Sequence, residues 1–515
     1  MSLPFQVVVL WSDALFFGLI TAVVMLGMWA RRQAPLRHSW ARVASDKVAM
    51  VSATILAAFL FVGVLDSLHY RAQLDAAPGQ AVAQKINYAV EVNSLLDVLL
   101  APLRLHPEKT YSAPLATHLF SKEPLPGSIE RGFPRLTWGG AHLGYALEHR
   151  TIDIVQRSAL GAAGGLLLWL GLMSVMRLRF KRQGHAIESA QKPGAGEATM
   201  PQGGRAINAL MKPLRSRAVE RSALSSPLRI LAVADGDAAR KSSRRVASHA
   251  TLLALLVLFL IMGVTMALGS GYHVLGTDKV GQDVLYLSLK SIRTGLLIGT
   301  LTTLVMLPVA VLLGILAGYL GGWVDDVIQY AYTTLNSIPG VLLIAAAVLM
   351  MQVVIDTHPD WFVTSAERAD ARLLALCLIL GMTSWTGLAR LLRGETLKLR
   401  ELEFVQAARA FGVSHFAIMQ RHILPNLMHI VLIALVMDFS GLVLAEAVLS
   451  YVGVGVDPAT ISFGTMINAA RMELARDPMV WWSLAAAFTF MFILVLAANL
   501  LTDAVRDAFD PRTAA

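Results

Sequence analysis

Two acids and one polar loop hold most of the chemistry this sequence offers. Asp438 and Glu446 stand eight residues apart inside the apolar run Leu427–Val452. On a helix turning roughly 100° per residue they lie about 80° apart, so both can border one surface. An ionisable group within a membrane span is costly and normally faces the protein interior or a wet cavity. The pair therefore lines a path or gate, or else hydrogen-bonds within the bundle, and the structural role is favoured. His422 invites metal chemistry, yet no second His or Cys stands at ligand spacing near it, so no metal is expected. The single cysteine, Cys377, sits inside another apolar run, so there is neither a disulfide framework nor a CxxC site. A G-x-x-x-x-G-K-[ST] phosphate loop, a nucleophile elbow and an H-E-x-x-H pattern are all missing. No catalytic residue or cofactor of its own is expected, and the chain reads as no enzyme.

The loop is 400–426, a charged, Ala/Gly-containing segment between the apolar runs Leu373–Leu392 and Leu427–Val452. Glu401 to Phe411 are good helix formers, with apolar Leu402, Val405 and Ala408 at three-residue spacing and Phe404 and Phe411 flanking that face. Ala407 and Ala408 are small enough for close contact with a partner. Gly412 suits a helix C-cap, where positive φ is cheap for glycine. Ser414 can cap the next helix, and Pro425 is expected to end it before the following span. A short helix, a sharp turn and a second short helix follow, held at a membrane face.

The elements that must position these residues are spans. The chain of 515 residues is 56% hydrophobic and 15% charged, with a mean hydropathy of +0.59. Nine runs approach the roughly 20 apolar residues a bilayer needs, at about 7–30, 48–68, 157–177, 249–269, 291–319, 327–354, 372–393, 427–453 and 479–502. The expected fold class is an all-α polytopic membrane protein, because helices satisfy their own backbone in lipid. Residues 1–10 lack a basic n-region, so the first run is expected to be a span rather than a cleaved leader.

Charge sets the expected orientation. Segment 177–248 holds fifteen Lys/Arg against five Asp/Glu, whereas 67–155 has eight of each sign. Basic segments inside put the N-terminus outside and the C-terminus in the cytoplasm. The basic balance thus reports topology and membrane lipid, and no nucleic-acid partner is expected. Three regions follow: 1–176, with three spans and an extracytoplasmic insert at 67–155; 177–248, a Gly/Ser/Pro-rich linker expected to be mostly disordered; and 249–515, with six spans. Within the insert, Ala81–Leu105 carries helix-like spacing at Ile86, Val90, Leu95, Val98 and Leu99, while Pro124-Leu-Pro-Gly and Trp138-Gly-Gly read as turns. Gly161–Gly165 and Gly314–Gly318 place small residues four apart, read as ordinary helix packing.

In order, Glu401, Val405, Ala407, Ala408, Arg409, Ala410, Gly412, Ser414, Ile418, Arg421, His422, Ile423, Leu424, Pro425 and Asn426 resemble the EAA loop of the dipeptide/oligopeptide/nickel family of ABC importers. Phe411 replaces the more usual leucine. Flanking wording extends the likeness over about 249–512. It includes Leu275-Gly-Thr-Asp-Lys-Val-Gly-Gln-Asp-Val, with Gln282 in place of the family's arginine. It also includes Ala317-Gly-Tyr-Leu-Gly-Gly-Trp-Val-Asp-Asp, Leu444-Ala-Glu-Ala-Val-Leu-Ser-Tyr-Val-Gly and Asp507-Ala-Phe-Asp-Pro-Arg. Together these resemble the C-type permease, but residues 1–248 fall outside the likeness. The resemblance implies a coupling helix seated on an ATPase through Glu401, Phe404, Val405, Ala407, Ala408, Arg409, Gly412, Ser414, Arg421 and Pro425. It further implies a second homologous permease subunit, two ABC ATPase subunits carrying ATP and Mg, and an extracytoplasmic solute-binding protein. It also implies a bacterial inner membrane as the location and a peptide or similar small polar molecule as the solute. Two other readings stand beside it: a secondary transporter using Asp438 and Glu446 for protons, or a sensor or scaffold built on the insert.

Overall fold

In a computed structural model of the chain, the described residues are 5–509 except 31, 33, 74–87, 125–129, 145–146, 191–226 and 363. The chain opens with a short strand, β1 (Phe5–Val8), and three helices, α1 (Trp11–Ala30), α2 (Ala34–Val43) and α3 (Lys47–Asp66). The Asp46 side chain caps α3 by accepting from Val48 N. Strands β2 (His69–Ala72) and β3 (Asn93–Ser94) follow, then helices α4 (Leu95–Leu99) and α5 (Ala101–Arg104) and the hairpin of β4 (Glu123–Pro124) and β5 (Arg131–Gly132). Long helices α6 (Arg150–Ala190) and α7 (Pro227–Gly269) lead to the C-terminal bundle.

That bundle comprises α8 (Val284–Leu320), α9 (Gly322–Ser337), α10 (Gly340–Thr357), α11 (Ser365–Ser384), α12 (Thr386–Arg400), α13 (Glu403–Ala410), α14 (His415–Ile418), α15 (Leu424–Val452), α16 (Phe463–Arg471) and α17 (Trp482–Phe509). Helix α8 lies at its centre, packed on α3, α11, α12, α15 and α17. Helices α6 and α7 pack along each other, so closely that a Cβ on Gly161 or Gly165 would strike the α7 backbone. Gly314 and Gly318 do the same between α8 and α12, where a Cβ would lie 2.8 Å from Ala389 O or 2.6 Å from Thr396 Cβ.

Among the described residues, eight helices are long and apolar enough to span a membrane, and α1 is apolar over the shorter stretch Trp11–Met25. The fold is that of a polytopic helical membrane protein, corrected in five places. First, small sheets join the helices: β1-β2-β3 is antiparallel, pairing Val8 with His69 and Tyr70 with Asn93, so the start of the first apolar run is a strand. Second, the run at 327–354 is two helices. Pro339 holds Ile338 at φ −92°, ψ 132°, and only Gly340–Thr357 qualifies as a span. Third, the expected helix at 81–105 shrinks to α4 and α5; residues 81–87, with Ile86, lie outside the described residues. Ser94 and Asp97 form a capping box that starts α4 late, so Leu96 and Leu103 are buried, while Val90, Leu95, Val98 and Leu99 are exposed. Fourth, the described flanks of segment 177–248 are helical continuations of α6 and α7, because extending an existing helix avoids the cost of nucleation. Its residues 191–226 lie outside the described residues. Fifth, Pro425 does not end a helix: α14 passes through a π turn, Met419–Ile423, and Pro425 sits in the first turn of α15, where a missing N–H costs little.

The insert docks on the segment that precedes α8. Glu108 N donates to Gly281 O (2.9 Å), Thr277 N to Ser112 O (3.0 Å) and Leu115 N to His273 O (2.9 Å). Gly281 needs both its φ of +80° and its missing Cβ, which would overlap the carbonyl of Glu108. The buried Glu108 carboxylate accepts from the backbone of Thr137, Trp138 and Gly139 at 2.8, 2.9 and 3.0 Å. His273, fully buried, lies 3.6 Å from Glu108 Oε1 and 2.8 Å from Asp283 Oδ2. Asp283 also caps α8, accepting from Tyr286 N (3.0 Å).

Burial alone would lower the pKa of His273, but the Asp283 and Glu108 carboxylates overcome it and raise it from 6.5 to about 9. A raised folded value means this stabilisation is complete below pH 6.5 and is lost as pH rises through 9. The thermal denaturation midpoint of the purified protein should therefore fall between these limits. His273→Gln should remove most of that dependence.

Candidate functional site: the 400–426 loop and the acids of α15

The loop hangs from the end of the bundle opposite the insert. Its frame is driven inward by three side chains: Val405 is 2% exposed, and Ile418 and Ile423 are fully buried. They join a cluster with Ile315 on α8, Leu388 and Leu392 on α12, and Leu427 on α15. Polar ties reinforce it. Tyr319 OH and His415 Nδ1 are 3.1 Å apart, and Arg393 forks onto Asp325 with two contacts of 2.6 Å. The hydrogen-bonded guanidinium lowers the Asp325 pKa.

Helix α13 ends as its glycine requires. Gly412 has φ +76°, Val413 N donates to Ala408 O (3.1 Å) and Gly412 N to Arg409 O (3.1 Å). No neighbour lies where a Cβ would go, so conformation rather than space is the constraint at Gly412. Ser414 Oγ accepts from Ala417 N (3.4 Å) and caps α14. The apolar stripe divides: Val405 turns in and Ala408 is half-buried, whereas Leu402 stays exposed. Phe404, Phe411 and Phe416 stand out at 44%, 88% and 69% exposure. Ala407, Arg409, Arg421 and Pro425 are exposed, as is Glu401, which pairs with Arg400 at 3.0 Å.

The two acids of α15 part company. Glu446 is 1% exposed and its Oε1 accepts from Ser450 Oγ (2.7 Å) and Ser462 Oγ (2.9 Å). Ser462 is the N-cap of α16, so Glu446 fastens α16 to α15. Asp438 is half-buried, and among the described residues no hydrogen bond or ion pair reaches its carboxylate. It flanks a bare stripe of α15 formed by Met437, Gly441, Leu444 and Val448.

Sequence reasoning missed a charged cluster at the insert end. Lys290 and Arg293 of α8 meet Asp13, Asp66 and Asp97, while Asp370 of α11 meets Ser12. Their signal was present: two cations three residues apart open an apolar run, Asp13 and Asp66 lie within two others, and Asp370 borders a fourth.

Residues 310–515 match the family model described as binding-protein-dependent transport system inner membrane component. The oligopeptide transport system permease protein OppC of Mycobacterium bovis is 32% identical over 239 residues, which is 46% of this chain and 76% of the relative. The glutathione transport system permease protein GsiD of Pectobacterium atrosepticum is 33% identical over 245 residues, which is 47% of this chain and 74% of that protein. Among solved structures, a chain of the MetNI methionine ABC transporter covers 43% of this chain at 19% identity and a TM-score of 0.31. With a relative above 30% identity matched over three-quarters of its length, the chain belongs to this family, as an ABC importer permease of the peptide and oligopeptide class.

Proposed function

We propose that loop 400–426 is the seat of a separate ATPase, and that ATP binding and hydrolysis there drive this permease between its states. The observation that carries the reading is an exposed set of rings, Phe404, Phe411 and Phe416, mounted on a backbone anchored by Val405, Ile418 and Ile423. Water-facing aromatic groups on a rigid frame suit a partner groove, because little entropy is lost on docking. The same frame reaches α8, α12 and α15, so force applied to the loop acts on the bundle itself. The requirement is differential contact: a partner that bound both states equally would shift neither.

By this reading the loop end is cytoplasmic and the N-terminus lies outside. The assembly holds a second homologous permease, two ATPase subunits with their ATP and Mg, and an extracytoplasmic solute-binding protein. Peptides or similar small polar solutes fit the class of its relatives. Asp438 faces the path or the second permease, where its unpaired charge meets water or a partner group. Glu446 is structural.

Ala408→Glu places a charge on a half-buried contact, and Gly412→Pro forces a negative φ where +76° is needed. Both variants should reach the membrane at normal levels while ATPase capture and uptake fall about tenfold or more. Uptake by either variant at the parent rate would contradict the docking role. Glu446→Leu strands two buried hydroxyls and should lower stability by about 1–3 kcal/mol in thermal denaturation, while Glu446→Gln keeps an acceptor and much of that stability. Asp438→Asn should leave the melting point unchanged and alter uptake; an equal melting loss in Asp438→Asn and Glu446→Leu would contradict the division of roles.

A further inference from the structure

Residues outside the family match supply the counter-charges of the bundle's central helix. Arg293 of α8 contacts Asp13 Oδ1 through Nη2 (2.6 Å) and Nε (3.2 Å), and its Nε lies 3.3 Å from Ser67 Oγ. One turn earlier, Lys290 Nζ lies 2.5 Å from Asp97 Oδ1 and 3.5 Å from Asp66 Oδ1. Asp66 accepts from Ser94 Oγ (2.7 Å), Asp97 accepts from Tyr286 OH (2.8 Å), and Asp13 Oδ2 lies 2.8 Å from His69 Nδ1. Asp13, Asp66 and Asp97 are each at most 3% exposed.

The start of α1 also reaches a second core helix. Ser12 N donates to Asp370 Oδ2 on α11 (3.1 Å), and Ser12 Oγ donates to Asp370 Oδ1. The same hydroxyl oxygen accepts from Arg293 Nη2 (3.4 Å). Ser12 thus stands between a half-buried cation on α8 and a buried carboxylate on α11, bonded to both.

We infer that Ser12 and Asp13 form a strap that holds the insert ends of α8 and α11 together as one body during the transport cycle. The N-terminal region is then a working part of the permease, and Ser12 and Asp13 are positioning residues. Physically, displacing α1 would leave Arg293 and Asp370 without their fully buried partners, in surroundings where unpaired charge is strongly disfavoured. Motion during the cycle is therefore directed to elements outside the strap, those of the loop end among them. The inference rests on the importer reading.

The test uses the complete importer, with its ATPases, in lipid nanodiscs, spin-labelled in two pairs. Trp11→Cys with Ser365→Cys spans the strap at exposed positions, and Ser365→Cys with Lys398→Cys spans the insert end of α11 and the exposed loop end of α12. On trapping with ATP and vanadate, the strap pair should hold its separation within about 2 Å while the second pair shifts by about 5 Å or more. A strap pair that shifts as far as the second overturns the inference. If neither pair moves, the importer reading fails and the strap with it.

A second measurement separates positioning from mere folding. Asp13→Asn should keep assembly and basal ATP hydrolysis but reduce stimulation by the solute-binding protein about fivefold, with Asp13→Glu restoring most of it. Unchanged stimulation, or a loss of assembly that Asp13→Glu does not repair, overturns the strap.

Discussion

Charge inside an apolar bundle must be paired, and in this chain the pairing is done across long stretches of sequence. Arg293 is the clearest case. It lies within a helix long enough to cross a membrane, and its acid, Asp13, stands 280 residues earlier. Without that pairing, burying α8 against α1, α3 and α11 would carry a penalty that apolar packing does not repay. The same rule organises the connection before α8, where Glu108 and Asp283 share His273, and the far side, where Asp457 and Asp356 share Arg372. Position by position, the ion pairs decide which elements stay together.

The two ends of the bundle use different physics. At the insert end, buried charges and backbone pairing join 108–115 to 273–281, making one rigid face from two distant segments. At the loop end the polar ties are fewer, and three aliphatic anchors carry the frame while its aromatic rings remain bare. On the proposed function, an anchored frame with a bare face would transmit displacement to α8, α12 and α15 instead of absorbing it. The proposed importer cycle would use such a contrast: one end that stays put and one that can be driven.

What was legible in the sequence was local. Gly412 and Ser414 announce a C-cap and an N-cap through rules that act within four residues, and both occupy those positions. Apolar runs announced the spans because a bilayer fixes their length. What was not legible depended on distance or on competition between signals. Pro339 was overridden by the apolar residues on both sides of it, although it breaks the run into α9 and α10. The stripe Leu402, Val405, Ala408 reads as one face, yet only Val405 is buried in the cluster, while Ala408 packs against it half-buried and Leu402 stays exposed. The pairing of Lys290 and Arg293 is not legible, because Asp13 and Asp97 give no sign, along the chain, of where they fold. The acids of α15 look alike at eight residues' separation; burial and the hydroxyls of Ser450 and Ser462 distinguish Glu446 from Asp438.

The measurement closest to the central claim is purification of the full-length protein in mild detergent, with its companion subunits identified and ATP hydrolysis assayed on the eluate. The account predicts a stoichiometric ATPase that departs when Ala408 is replaced by Glu, leaving a folded permease behind. A transport-competent chain that purifies with no ATPase attached would contradict it and turn attention to the half-buried carboxylate of Asp438.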